Sequence, residues 1–314
     1  MSRKAWLQLV LPLIGLSVLF WLLAFAPGEK HHQPPLLEMS VILRDGDGAV
    51  STMRKGMEQA AQDLNVELRF LIPAEDNSAA QQAQLLEREV TGAASAVLLI
   101  PADREALGDA VSAAAGKTTL VTVETDMTAW GAAASITMDH QELGAALGAA
   151  ALNGVPEGGT VLLLDSLPGD NGIRERMEAA KAVLEREGRQ ARVYKWDPDT
   201  TSLPDILRIE RPRAIIAFEA AALADVAELS RGEDAFPLLY GCGSTASIAA
   251  ALEKGRVTAI TAVNVFSAGY LAVEAAAALA RHEDWTAAAP VAFSIVRQET
   301  MYDSDNQKLL FPVT

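Results

Sequence analysis

The run Arg44-Asp45-Gly46-Asp47-Gly48 brings two carboxylates and two glycines into one short turn. Asp45 and Asp47 at alternate positions could open a calcium loop, but the third acidic ligand and the distal glutamate are missing at the required spacing. Gly46-x-Gly48 after a strand would let backbone approach a pyrophosphate, yet Ser51 stands where the third glycine belongs. That leaves a turn offering the Asp47 carboxylate and bare backbone to a ligand, or simply a turn formed by its residue types. His31-His32 could bind a metal, but no other His or Cys supports it, and a solvated linker accounts for the pair. Cys242 is the one cysteine, so an internal disulfide or a Cys-based metal site is impossible; it reads as a structural thiol. The chain has no Gly-x-Ser-x-Gly, no His-Glu-x-x-His and no nucleophile–base pair. The residues point to binding without a cofactor or metal. A nucleotide-cofactor enzyme is the competing class, resting on the glycine turn alone.

The turn is positioned by a strand and a helix. Met39–Leu43 is a short apolar run, and Val50, Met53, Met57, Ala60, Ala61 and Leu64 recur at helical spacing. The same unit repeats. Strands are predicted at 66–72, 96–100, 120–123, 160–164, 191–196, 214–218, 238–241, 257–262 and 291–297. Helices are predicted between them, one opened by a Ser78/Gln81 capping box. Alternating strands and helices with apolar strands mean parallel sheets covered on both faces, with ligands at the strands' C-terminal ends. The units are too many for one small sheet, and a break near Asp139 divides them into two similar halves.

Half the residues are hydrophobic, enough for a substantial core, and 26 Lys+Arg against 41 Asp+Glu give a net charge of −15. That balance argues against a nucleic-acid partner, which needs a basic face. At the N-terminus Arg3 and Lys4 precede the charge-free run Ala5–Ala26, long enough to span a bilayer with its amino end inside. Ala24-Phe25-Ala26 has the form of a cleavage site, but Pro27 follows at once, so a retained anchor over 1–26 is expected rather than a cleaved signal. Residues 27–37 read as a tether, and the remainder as an exported domain.

In order and spacing the chain resembles the type I periplasmic binding proteins, the ribose- and galactose-binding family, from about Met39 to Val313. The resemblance is carried by Met53-Arg54-Lys55-Gly56, Leu99-Ile100-Pro101-Ala102-Asp103, Thr137-Met138-Asp139 with Leu143-Gly144, Gly172-Ile173-Arg174-Glu175-Arg176, and Tyr240-Gly241-Cys242-Gly243 before Lys254-Gly255. It implies two Rossmann-like α/β lobes joined by three crossings: 38–139 plus 264–292, and 140–263 plus 293–314. It also implies a monomer that traps a small ligand as the lobes close, then docks on an ABC permease or, alternatively, on a sensor kinase.

Carried onto this chain, the family's site implies Asp103 in lobe one and Arg174 in lobe two as ligand contacts. The same residues also suit a helix N-cap and a surface pair with Glu178. Other positions depart from the family. Ala49 and Val50 replace an aromatic pair, Thr125 (or Asp126) an arginine, Glu219 an asparagine and Gly243 an aspartate, and Val263 beside Asn264 a glutamine. Asp47, Thr125, Glu219 and Asn264 join the candidate contacts, and Asp139 is assigned to the hinge. Phe218 reads as core, and Trp130 is a candidate ring face for a sugar. Acids outnumber arginine in this set, so an amine-bearing ligand is the alternative to a neutral sugar.

Overall fold

The computed structural model describes residues 35–46, 48–92, 94–167, 169–200, 202–231, 235–286 and 289–311. The predicted anchor at 1–26, the His31-His32 pair and Asp47 lie outside the described residues. Among the described residues no helix is long and apolar enough to cross a membrane.

Strand β1 (Leu37–Ile42) lies between β2 (Val66–Leu71) and β3 (Ala96–Leu99), followed by β4 (Thr119–Glu124) and β5 (Ala134–Thr137). All of these pairs are parallel. The four residues of β3 are fully buried, as expected of a strand covered by helices on both faces. A second sheet holds β6 (Thr160–Asp165), β7 (Gln190–Lys195), β8 (Ala214–Ala217), β9 (Leu238–Cys242), β10 (Ala259–Val263) and β11 (Phe293–Val296) in the order β11-β10-β9-β8-β6-β7. Only β11 runs antiparallel, against β10. Both sheets therefore follow the order 2-1-3-4-5, the second with β11 added. This order places a switch point beside the first strand of each sheet, where loops splay apart and leave a crevice.

Helices α1 (Gly48–Leu64), α2 (Ala79–Thr91) and α3 (Arg104–Ala114) serve the first sheet. After β5 the chain passes into α4 (His140–Leu152), which packs on α5 (Asn171–Arg186) beside the second sheet. Helices α6 (Leu203–Glu210), α7 (Ala220–Leu229) and α8 (Ala246–Glu253) follow. After β10 the chain returns to the first sheet as α9 (Val265–Ala280), packed on α1, and then re-enters the second sheet at β11. Helices α1 and α9, and α4 and α5, come into backbone contact. A Cβ on Gly56 would lie 2.0 Å from the Phe266 carbonyl oxygen of α9, and one on Gly144 2.1 Å from the Arg176 carbonyl oxygen of α5.

Two expectations change. Ser78 stands at the N-cap of α2, but its side chain makes no capping bond. Gln81 instead accepts from the backbone N–H groups of Ala74 (2.7 Å) and Glu75 (3.2 Å), pinning the preceding loop rather than closing a capping box. The final strand shortens to Phe293–Val296 and is followed by α10 (Ser304–Leu310), a short polar helix with a single buried residue, Leu310. Its periodicity is too brief to read from sequence.

Candidate ligand-binding cleft

The loops at the two switch points face each other. From the first sheet come Arg44-Asp45 after β1, Asp103-Arg104 after β3 and Glu124-Thr125-Asp126 at the end of β4. From the second come Ser166 and Asp170 after β6 and Glu219 after β8. The loops after β1 and β3 are tied together by one buried side chain. Gln82 of α2 donates to the carbonyls of Leu43 (2.9 Å) and Ile100 (2.8 Å) and accepts from the Ala102 N–H (2.8 Å). A cleft of about 110 Å³ lies between the lobes. Arg104, Glu124, Thr125, Asp126 and Thr137 line it on one side, Asn171, Gly172 and Glu175 on the other, with Met138 and His140 at the crossing.

Arg44 ties the two lobes together beside this cleft through Glu124, which lines it. Its Nε lies 3.0 Å from Asp45 Oδ2, and its Nη1 lies 3.0 Å from both Glu124 Oε2 in its own lobe and Asp170 Oδ2 in the other. Burial alone would lower the guanidinium's pKa, but Glu124, Asp170 and Asp45 more than offset it and hold it above the ordinary value. Asp170 uses its second oxygen to cap α5, accepting from the Ile173 N–H at 2.8 Å.

Arg176 organises the crossing. Its Nε donates to His140 Nδ1 at 3.0 Å and its Nη1 to the Phe218 carbonyl at 3.0 Å, while Nη2 lies 3.4 Å from Met138 Sδ. His140 Nε2 meets the Glu124 carbonyl at 2.9 Å. Glu124 itself has φ +69°, a left-handed conformation that costs a non-glycine residue about 1 kcal/mol. The bond from His140 to its carbonyl and the ion pair of its carboxylate with Arg44 hold it there. Cys242 is buried at the end of β9, and burial pushes its thiol pKa up, which keeps it a poor nucleophile.

The sequence-derived candidates fall in different places. Asp103 is half-buried and caps α3, accepting from the Ala106 N–H at 2.9 Å. Its Oδ2 lies 3.2 Å from where a Cβ on Gly169 would stand, so it faces the other lobe. Thr125 lines the cleft. Glu219 caps α7, accepting from the N–H groups of Ala221 (2.7 Å) and Ala222 (3.2 Å) and from the Ser166 hydroxyl (3.2 Å). Asn264 caps α9 at the second crossing, accepting from the Ser267 N–H at 3.0 Å. Asp139 is exposed at the first crossing and caps α4 through the Glu142 N–H at 2.8 Å. Arg174 is exposed on the first turn of α5; two positions on, Arg176 is half-buried and reaches His140, and neither lines the cleft. Phe218 is fully buried, in keeping with a core role. The Trp130 ring carries the Arg104 guanidinium 4.7 Å from its centroid, so that face is already occupied. Sequence reasoning missed Glu124 and His140 as cleft residues, and Arg44, Asp170 and Arg176 as the side chains that tie the lobes and the crossing.

Residues 40–284 match the family described as periplasmic binding protein domain. The chain belongs to this family. It is thus a binding protein rather than an enzyme. Among solved structures this periplasmic binding protein is similar to an ABC transporter solute-binding protein from Agrobacterium vitis with bound D-fucose. The two are 17% identical over 87% of this chain and 100% of that one, with a TM-score of 0.81. It is also similar to a carbohydrate transporter solute-binding protein from Agrobacterium radiobacter in complex with D-arabinose, at 18% identity over 87% and 98%, with a TM-score of 0.81. A third similar structure is a XylFII–LytSN complex, at 15% identity over 85% and 99%, with a TM-score of 0.77. These identities speak to the fold. No curated protein sequence matches the chain.

Proposed function

We propose that this chain is an extracytoplasmic solute-binding protein that captures a small polar ligand, a sugar or sugar-like molecule, between its lobes and presents it to an ABC importer. One observation carries the reading: a family match over residues 40–284 on a chain whose two switch points face each other across a polar cleft. The sugar complexes of the Agrobacterium proteins support the ligand class. We assign Asp103, Thr125, Arg174, Glu219, Asn264 and the undescribed Asp47 as contacts in the ligand-bound state, and Asp139 as a hinge residue. The lobe limits are 38–139 plus 264–292 and 140–263 plus 293–314. They are supported by the points at which the chain changes sheets, after Thr137, after Val263 and before Phe293. The protein acts as a monomer.

The cleft carries Glu124, Asp126 and Glu175 against Arg104, which keeps an amine-bearing sugar as a candidate. A thermal-shift screen of D-fucose, D-arabinose, D-tagatose, glucosamine and spermidine on the full-length protein tests both, since a ligand that binds only the native state raises its apparent stability. Stabilisation by a sugar supports the reading, and silence from every sugar defeats it. Calorimetry then separates neutral from amine-bearing ligands.

The second reading makes the partner a receptor kinase. It is favoured by the XylFII–LytSN complex and by the apolar run Ala5–Ala26, which would keep the protein at the membrane beside such a receptor. Permease and ATPase genes beside this one favour import; a kinase and response regulator favour sensing. A mature protein beginning at Pro27 would remove the anchor from either version.

A further inference from the structure

Arg44 is held from both sides of the gap between the lobes. Asp45 and Glu124 take its guanidinium in lobe one, and Asp170 takes it in lobe two, each at 3.0 Å. The four side chains are only 16%, 12%, 18% and 9% exposed, so the pairs are largely shielded from solvent and ions. We propose that Arg44 and Asp170 form a latch that holds the two lobes together with no ligand between them, and that a ligand enters the cleft only once Arg44 releases Asp170.

The charge count supports this. One cation binds three carboxylates drawn from two lobes. Without it, Asp45 and Glu124 on one side face Asp170 on the other, and attraction across the cleft becomes like-charge repulsion. Arg44 keeps two partners when the lobes part, so opening separates Asp170 alone. That asymmetry suits a latch whose keeper is in lobe two. The neighbouring Asp103–Gly169 approach shows that the lobes already meet elsewhere along the same edge. The latch itself needs no ligand; only its role in ligand entry rests on the proposed function of the cleft.

The test measures distance between the lobes in the ligand-free, full-length protein in detergent. Spin labels are attached through Glu105→Cys on α3 and Glu178→Cys on α5, both exposed, while the native Cys242 stays buried and unlabelled. The unmodified latch should give one narrow distance distribution. Arg44→Gln should add a longer-distance component, and so should Asp170→Asn, which keeps an oxygen to cap α5 but loses the charge. Arg54→Gln, which removes a surface pair with Glu58, should leave the distribution unchanged. A wild-type distribution that is already broad, or folded Arg44→Gln and Asp170→Asn proteins that keep the wild-type distance, would overturn the latch. Asp170→Asn carries the test if Arg44→Gln fails to fold. No ligand is present, so a failed sugar screen and a failed latch are separate results.

Discussion

Arg176 Nε donates to His140 Nδ1 across 3.0 Å, which makes Nδ1 the acceptor and puts the ring proton on Nε2, where it reaches the Glu124 carbonyl at 2.9 Å. The histidine at the first crossing is therefore held neutral between a cation from lobe two and a backbone oxygen from lobe one. Protonating Nδ1 would set two N–H donors against each other.

This geometry predicts a pH dependence. Burial and then the Arg176 charge push the His140 pKa below its ordinary value of 6.5, outweighing the Glu124 carbonyl, Asp170 and Glu175, which pull it up. A base that is harder to protonate in the folded state leaves the unfolded chain holding more protons. Stability should then rise with pH up to about 6.5, level off above it, and fall as pH drops below it. Melting temperatures measured from pH 7 down to pH 5 should show a shallower decline in His140→Gln than in the wild type. Parallel curves would show that His140 does not carry the effect.

The sheets were legible because apolar runs such as Ala96–Leu99 and Ala214–Ala217 are buried on both faces and read the same in sequence as in space. Asp103 was legible as a helix cap for a similar reason, since a cap is local; Asp139, read as a hinge residue, also proves to be a cap. The cleft was not. Arg44 and Asp170 are 126 positions apart and meet only when two lobes face each other. The different surroundings of Arg174 and Arg176 follow from helical phase. Ile173 and Ala180 are buried on α5, and Arg176, three positions after Ile173, shares their side of the helix, while Arg174 points to solvent. The motif drew attention to the first arginine as a ligand contact; the second, which meets His140 at the crossing, is recognised only from the burial pattern of α5.

Gln82 should prove costly to remove. Its amide makes three buried hydrogen bonds that join the β1 and β3 loops. Gln82→Leu fills much of the same space but strands two carbonyls and the Ala102 N–H. The expected loss is about 3 kcal/mol, from several buried groups left unsatisfied at once. Urea unfolding should show a lower midpoint with an unchanged slope. A loss under about 0.5 kcal/mol, the range of ordinary surface changes, would mean that water replaces the amide.

Gly144→Ala sets two effects against each other. Alanine favours a helix over glycine by about 1 kcal/mol. Here its Cβ would meet the Arg176 carbonyl oxygen at 2.1 Å, backbone that moves only if α5 moves. Overpacking of this kind costs about 3 kcal/mol at the upper end of its range, so the clash wins and the variant should be destabilised. Because Arg176 also holds His140, displacement of α5 should weaken the crossing. Gly144→Ala should therefore reduce the difference in pH slope between wild type and His140→Gln. Gly56→Ala, which meets the Phe266 carbonyl oxygen at 2.0 Å in the other lobe, should destabilise similarly but leave that slope alone.

Asp103 separates a cap from a ligand contact within one side chain. Oδ1 takes the Ala106 N–H, and Oδ2 faces Gly169 of the other lobe. Asp103→Ala loses both and should cost about 1 kcal/mol of stability as a missing cap. Asp103→Asn keeps an oxygen for Ala106 and should unfold within about 0.5 kcal/mol of wild type, since asparagine caps as well as aspartate. If Oδ2 accepts from a ligand hydroxyl or ammonium, the same Asn variant should bind that ligand at least tenfold more weakly, because a charge-assisted bond becomes a neutral one. Calorimetry on whichever sugar stabilises the protein reads the affinity, and unfolding reads the cap. Normal affinity in Asp103→Asn together with lost stability in Asp103→Ala would assign Asp103 to the helix alone and move the lobe-one contact to Thr125 or its neighbour Glu124.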